Sequence, residues 1–269
     1  MNIKKLGIGG RYFKIAGFVI NISFEKTPWG YLKNELKQKI INYLSQFSLQ
    51  KKPTETDFYI KITEASVSDM TLYSHKKDNY IKLFSQESNK KINCHYQISL
   101  AEFQIILRYI LHHSLVDKNS ILLHCSAIRH KKQALIFLGP SGAGKTTIAN
   151  FLQKNYPTLT DDTGIVHIKR QRCYFYQSPF YEKNWRFSRS PDALIVKKAF
   201  FLKKSRHNKV IEINDRSILF KKLRPLLLVG KKNEKKDHRL LKKMIKNCRF
   251  YNLAFTKDEE KIKKLIKII

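Results

Sequence analysis

A chain of 269 residues with 42% hydrophobic content has material for one large domain or two modest ones, which excludes a disordered or fibrous polymer. Four cysteines (Cys94, Cys125, Cys173 and Cys248), far apart and without C-x-x-C spacing, exclude a zinc ribbon or a disulfide framework and fit a reducing cytoplasm. The net charge of +32 is carried mainly by lysines scattered among Ile and Asn in every segment, which reads as compositional drift over a solvated surface; specific nucleic-acid binding is not expected, because no helix-turn-helix, zinc-finger or RNA-recognition motif accompanies it.

Residues 11–24, with Tyr12, Ile15, Phe18, Ile20 and Ile22, read as one strand of mixed alternation, and a polar break at Glu25-Lys26-Thr27-Pro28 follows. Lys4 and Lys5 precede the apolar residues 15–20, but Asn21 and Ser23 interrupt the run without a cleavage pattern, so no secretory leader is expected. No apolar run approaches the ~18 residues of a membrane span, and no membrane partner is expected. Leu32, Leu36, Ile40, Tyr43, Leu44 and Phe47 share one face of a helix predicted over residues 30–47. Strands are predicted at 58–62, 80–84 and 92–98, with hairpin connections at Asp78-Asn79 and at Ser88-Asn89-Lys90-Lys91. Residues 1–98 therefore read as a small α+β accessory module rich in antiparallel strands, without a catalytic motif.

The second predicted domain covers residues 99–269. Ser99-Leu100-Ala101-Glu102 is a capping-box signature, and Phe103, Ile106, Leu107, Ile110 and Leu111 continue a helical stripe behind it. Residues 121–128 read as one buried strand, turning at Arg129-His130-Lys131-Lys132 into a second apolar strand at 133–138. Gly139-Pro140-Ser141-Gly142-Ala143-Gly144-Lys145-Thr146 then fills every fixed position of the phosphate-loop (Walker A) pattern G-x-x-x-x-G-K-[ST], and Ile148, Phe151 and Leu152 behind it have helical spacing. Strand, Gly-rich turn and helix form the context in which that pattern binds nucleotide. Glycines let backbone N–H groups curl around phosphate oxygens, and the helix start adds positive potential. The expected cofactor-binding residues are Gly139, Ser141, Gly142, Ala143, Gly144, Lys145, Thr146 and Thr147, with Lys145 on the β/γ-phosphates of ATP and the Thr146 hydroxyl on Mg²⁺.

Asp161 and Asp162 follow Lys145 by sixteen and seventeen positions, at the end of a short strand behind the loop helix. Phosphoryl transfer to a hydroxyl needs Mg²⁺ held by a carboxylate and a base for the hydroxyl proton, and two adjacent aspartates can divide those tasks. Asp161 is read as the base and Asp162 as a metal ligand, with the reverse assignment open; Glu182 is the reserve metal ligand. An acidic turn or helix cap would also suit Asp-Asp-Thr-Gly. Arg186 and Arg189 are candidates for gripping charge on the transferring group. His124, within an apolar strand, reads from its spacing as structural. Further strands are predicted at 164–168, 173–176, 194–202 and 210–213. Helices are predicted at 215–223, 237–246 and 258–268, the last opened by a second capping box from Thr256 to Glu259.

The order Leu123-His124-Cys125-Ser126-Ala127, then the Gly139 to Thr147 loop, then Asp161-Asp162, resembles the HPr kinase/phosphorylase family and its kinase-like relatives. Ser178-Pro179-Phe180 ahead of residues 193–202 is similar to a Pro-aromatic loop in the smaller relatives. The resemblance covers about residues 99–225. It implies an α/β fold with a mixed sheet, akin to the C-terminal nucleotide-binding domain of phosphoenolpyruvate carboxykinase. It also implies an ATP- and Mg²⁺-dependent kinase of a serine-type hydroxyl on a protein, peptide or small molecule, and assembly into a homo-oligomer. By that likeness His124 lies near the transferred phosphate and assists the aspartates. Thr147 replaces the family's glutamate and the later phosphorylase signature has no match, so neither dephosphorylation nor recognition of the HPr protein is implied. The competing reading is a nucleotide-binding regulator or nucleic-acid-associated NTPase using the basic C-terminal region.

Overall fold

The computed structural model describes residues 10–25, 30–64, 72–75, 78–81, 84–180, 193–228 and 233–268, in a mixed α/β architecture with two mixed sheets. The chain divides into two compact units, Met1–Tyr109 and Ile110–Ile269.

In the first unit a five-stranded sheet has the order β1-β2-β3-β7-β6, built from β1 (Arg11–Ile15), β2 (Phe18–Phe24), β3 (Phe58–Thr63), β6 (Phe84–Ser88) and β7 (Lys91–His95). The single strand predicted over 11–24 is a hairpin. Ala16 and Gly17 both take positive φ, 51° and 82°, the backbone of a two-residue turn, and an alanine in its first position hid the turn from sequence. Helix α1 (Gly30–Tyr43) connects β2 to β3, which run parallel, and β3 is also parallel to β7. Within this sheet the antiparallel character expected of the module is thus confined to the outer pairs, because a helical crossover sets β2 and β3 parallel. Asp78 and Asn79 lie within β5 (Asp78–Ile81), which pairs with β4 (Leu72–His75), rather than in a hairpin connection. The strand predicted over 80–84 is divided between β5 and β6.

The capping box forms as expected: the Ser99 N–H donates to Glu102 Oε2 at 2.6 Å, and the Glu102 N–H donates to Ser99 Oγ at 3.2 Å. Helix α2 (Leu100–Asp117) follows. The sheet of the second unit has the path β11-β9-β10-β14-β13-β12-β8. Its strands are β8 (Ser120–His124), β9 (Ser126–His130), β10 (Gln133–Leu138), β11 (Thr158–Thr160), β12 (Thr163–Lys169), β13 (Arg172–Gln177) and β14 (Leu194–Lys204). The strand predicted over 121–128 breaks at Cys125. Its halves β8 and β9 are one residue apart in sequence yet lie near opposite ends of the path, so the sheet curls back on itself. The chain from β11 to β12 bends at the same level, with Thr160 opposite Ala127 and Thr163 opposite His124.

Strand β14 is parallel to β10 along one edge. Its other edge is shared by β13 at the start and by β16 (Arg249–Phe255) beyond, and β15 (Lys209–Glu212) pairs outside β16. Sequence reading assigned the C-terminal third to helices and missed β16. Both faces of β10 are apolar because both are covered. Ala134, Ile136 and Leu138 pack with Leu219 of α4 (Arg216–Leu223) and with Leu241 and Met244 of α5 (Glu234–Asn247). Leu135 and Phe137 pack with Ile148 and Leu152 of α3 (Lys145–Leu152) and Ile262 of α6 (Glu259–Ile268). Helix α6 is capped by Asp258, whose Oδ1 accepts the Lys261 N–H at 3.1 Å, rather than by Thr256 as expected. Among the described residues no helix is long and apolar enough to cross a membrane.

Candidate functional site

Strand β10 runs into the Gly139–Thr146 loop, and the loop runs into α3. Gly139, Gly142 and Gly144 all take positive φ (151°, 78° and 102°), a backbone that side chains with a Cβ rarely adopt. Gly144 is also sterically fixed, because a Cβ there would lie 2.5 Å from Cζ of Phe255 at the end of β16. As the N-cap of α3, Gly144 offers no side-chain acceptor to the first-turn N–H groups. Lys145 is 6% exposed, and its Nζ donates to the carbonyls of Gly139 at 2.8 Å and Pro140 at 3.0 Å. The ammonium is folded over its own loop and held by the segment that it would share with an anion. Thr146 and Thr147 are half-buried, and Ser141 and Gly142 are exposed.

Three consecutive residues at the break between β8 and β9 tie this loop to Asp162. His124 Nδ1 is 3.0 Å from Asp162 Oδ1, the two side chains being 29% and 15% exposed. The Cys125 N–H donates to the Asp162 carbonyl at 2.9 Å. The buried Ser126 hydroxyl donates to the Lys145 carbonyl at 3.2 Å, gripping the first turn of α3. The Cys125 thiol is pushed up to about 12, chiefly by burial; a backbone hydrogen bond with Gly164 opposes the shift, the Asp162 charge adds to it and the Lys145 charge opposes it. Sequence reading placed His124, Lys145, Asp161 and Asp162 in one site, and His124 and Asp162 do meet; Glu182, Arg186 and Arg189 lie outside the described residues.

The aspartate turn is braced by hydroxyls. Thr163 Oγ1 donates to Asp162 Oδ2 at 2.7 Å, and Thr160 Oγ1 donates to the Thr163 carbonyl at 2.9 Å. Ser178 Oγ, buried just beyond β13, donates to that same carbonyl at 2.5 Å. Asp161 is 2% exposed. From sequence, Ser126 entered only within the Leu123–Ala127 run and Thr163 only within the Asp-Asp-Thr-Gly turn, and Thr160 was not singled out; for the two threonines the available signal was the T-D-D-T spacing, in which each hydroxyl can close a local ring with the backbone.

All four cysteines are buried and free. Burial also pushes the Cys94 thiol up to about 12, and the Cys248 thiol is raised, first by its hydrogen bond with Cys173 and then by burial. The thiolate is the reactive form, so iodoacetamide at pH 8 should label none of the four in the native protein and all four in denaturant. Mass spectrometry reads this directly, and labelling of native Cys125 contradicts the packing. The sign for stability follows from linkage: a folded-state value raised above the unfolded one stabilises fully below the unfolded thiol range, and that contribution is lost as pH rises from there towards 12.

No protein-family model matches the chain, and no curated protein sequence matches it. A solved structure of the Hpr(Ser) kinase/phosphatase from Coxiella burnetii is similar at a TM-score of 0.34 and 8% identity, over 54% of this chain and 93% of that one.

Proposed function

We propose that the protein is an ATP-dependent phosphotransferase acting on a serine-type hydroxyl of a protein, peptide or small molecule. The observation that carries this reading is the His124-Cys125-Ser126 bridge, which holds the start of the Lys145 helix on one side and the Asp162 turn on the other. Phosphate binding alone does not require a carboxylate turn tied to the loop; transfer to an acceptor requires both in one place. In this reading the loop amides and Lys145 hold the phosphates. Asp161, shielded from bulk water, takes the acceptor's proton, and His124 with Thr163 fixes the orientation of the Asp162 carboxylate.

The donors present suit Mg²⁺, a hard cation satisfied by one or two carboxylates together with substrate phosphates. Thr146 and Asp162 would hold it, and Asp162 carries the supporting hydrogen bonds of a ligating carboxylate. When bound, the ion neutralises charge on the phosphate oxygens. Among the described residues no group of three or more His, Cys, Asp or Glu could hold a metal by itself, and phosphate oxygens and water would complete the shell of a Mg²⁺ held by Thr146 and Asp162.

Incubation with γ-labelled ATP and a lysate of the source organism should transfer label to an acceptor. Asp161→Asn should lower the transfer rate ~10²–10⁴-fold without changing the Mg²⁺ requirement, and Asp162→Asn should raise that requirement. Release of inorganic phosphate alone, or full turnover in both variants, overturns the proposal.

A further inference from the structure

We propose that the α5 face of the second unit is a binding site for a nucleic-acid strand, separate from the proposed phosphotransfer site. Helix α5 carries Lys235, Arg239, Lys242 and Lys246 at spacings of four, three and four, which places them in one exposed stripe spanning about 16 Å of helix. Three adjoining concavities of about 530, 660 and 730 Å³ share members of this stripe. One is closed by the turn between β12 and β13, which contributes Lys169 and Arg170. Another is closed by α4 and the residue after it, which contribute Arg216, Lys221 and Arg224.

Drift in composition accounts for many lysines but not for this arrangement. The linings together hold ten Lys and Arg and no Asp or Glu. With 53 Lys and Arg against 21 Asp and Glu in the chain, ten cations drawn at random would bring about four carboxylates. Of the two carboxylates on α5 itself, one pairs with a lining cation and the other is buried. Glu234 pairs with Arg224 at 2.9 Å and lies 3.6 Å from His238, and the buried Asp237 is held by His112 at 3.1 Å. Among the described residues Lys235, Arg239, Lys242, Lys243 and Lys246 have no ion pair.

The groove between α4 and α5 also contains an aromatic ring. Phe220 is half-buried, meets His238 edge-on with centroids 5.3 Å apart, and has Lys242 Nζ 5.8 Å from its centroid. Cations along a concave track with an aromatic side chain set among them is the chemistry that follows a phosphodiester backbone and stacks a base. A lipid surface calls for the opposite shape, a convex face with projecting apolar side chains. The exposed Ile218 of α4 is not part of any of these linings.

The test is fluorescence anisotropy of the full chain with a fluorescein-labelled single-stranded thymidine 20-mer at 0.1 M salt. Reversal of three stripe residues (Arg239→Glu, Lys242→Glu and Lys246→Glu) should weaken binding at least 10-fold and flatten the log–log salt slope by about 2. An equally charged control (Lys51→Glu, Lys52→Glu and Lys90→Glu, all exposed) should lose less than 3-fold. The milder pair Lys242→Gln and Lys246→Gln, with unchanged circular dichroism, repeats the direction of the effect where triple reversal unfolds α5. Equal losses in patch and control variants, absence of oligonucleotide binding, or binding only to phosphatidylserine vesicles or an acidic polypeptide each overturn the proposal.

Discussion

Lys145→Ala should reduce ATP turnover by ~10²–10³-fold, the range expected when a preorganised positive group facing developing phosphate charge is removed. The side chain is committed to that place: it is 6% exposed, and its Nζ is fixed by the Gly139 and Pro140 carbonyls. Loss of those two bonds loosens the loop as well, so activity alone does not separate a binding role from a structural one. Thermal shift does. Ligand binding raises stability by RT ln(1 + [L]/Kd), so the wild-type chain should gain Tm with ATP and Mg²⁺ while Lys145→Ala gains none, whatever its own starting Tm. Lys145→Arg should behave almost as poorly, because a planar guanidinium cannot occupy a buried slot that holds an ammonium between two carbonyls. Unchanged turnover in Lys145→Ala removes the loop from the chemistry.

The parts of the molecule legible in the sequence are those governed by short-range rules. The Ser99–Glu102 box and the apolar run of β10 each depend on neighbours within a few residues, and each folds as its pattern predicts. What escaped is set by partners far away in the chain. The break at Cys125 has no Gly or Pro to mark it; it exists because the chain must leave β12 on one side and join β10 on the other. Residues 249–255 lie between the helices predicted at 237–246 and 258–268, in a C-terminal third read as helical and basic, and no strand was assigned to them. Their seven-residue pairing with β14 makes them a strand. His124 shows the same limit at the scale of one side chain: an apolar strand explains it as a core residue, and only the curl of the sheet brings Asp162 to its ring. The Asp-Asp-Thr-Gly run was visible as a turn, but the Ser178 hydroxyl that bonds the Thr163 carbonyl comes from beyond the next hairpin.

Gly164→Ala should cost about 3 kcal/mol, at the upper end for overpacking a filled core, and lower Tm by ~6–12 °C. The reason is space rather than backbone conformation. A Cβ at this position would lie 2.3 Å from Cε2 and 2.7 Å from Cζ of Phe175, and 3.0 Å from the Cys125 sulfur. Phe175 is fully buried and Cys125 is the pivot of the β8–β9 break, so neither neighbour can swing into solvent. Relief therefore has to come from the strand itself. Gly164 pairs with Leu123 and sits two positions after Asp162, so a shift of β12 displaces the 3.0 Å contact between His124 and Asp162. A displacement near 1 Å at a reacting group costs about 100-fold in rate, so activity should fall far more than the loss of folded protein explains. Trimming the obstructing ring separates the two effects. Phe175→Leu alone should destabilise by ~1–2 kcal/mol, but in the Gly164→Ala background it should restore stability, giving a coupling above ~1 kcal/mol in a double-mutant cycle. Additive losses would place the strain elsewhere, and a Gly164→Ala protein with the wild-type Tm would show that β12 is not packed as tightly against Cys125 and Phe175 as these distances require.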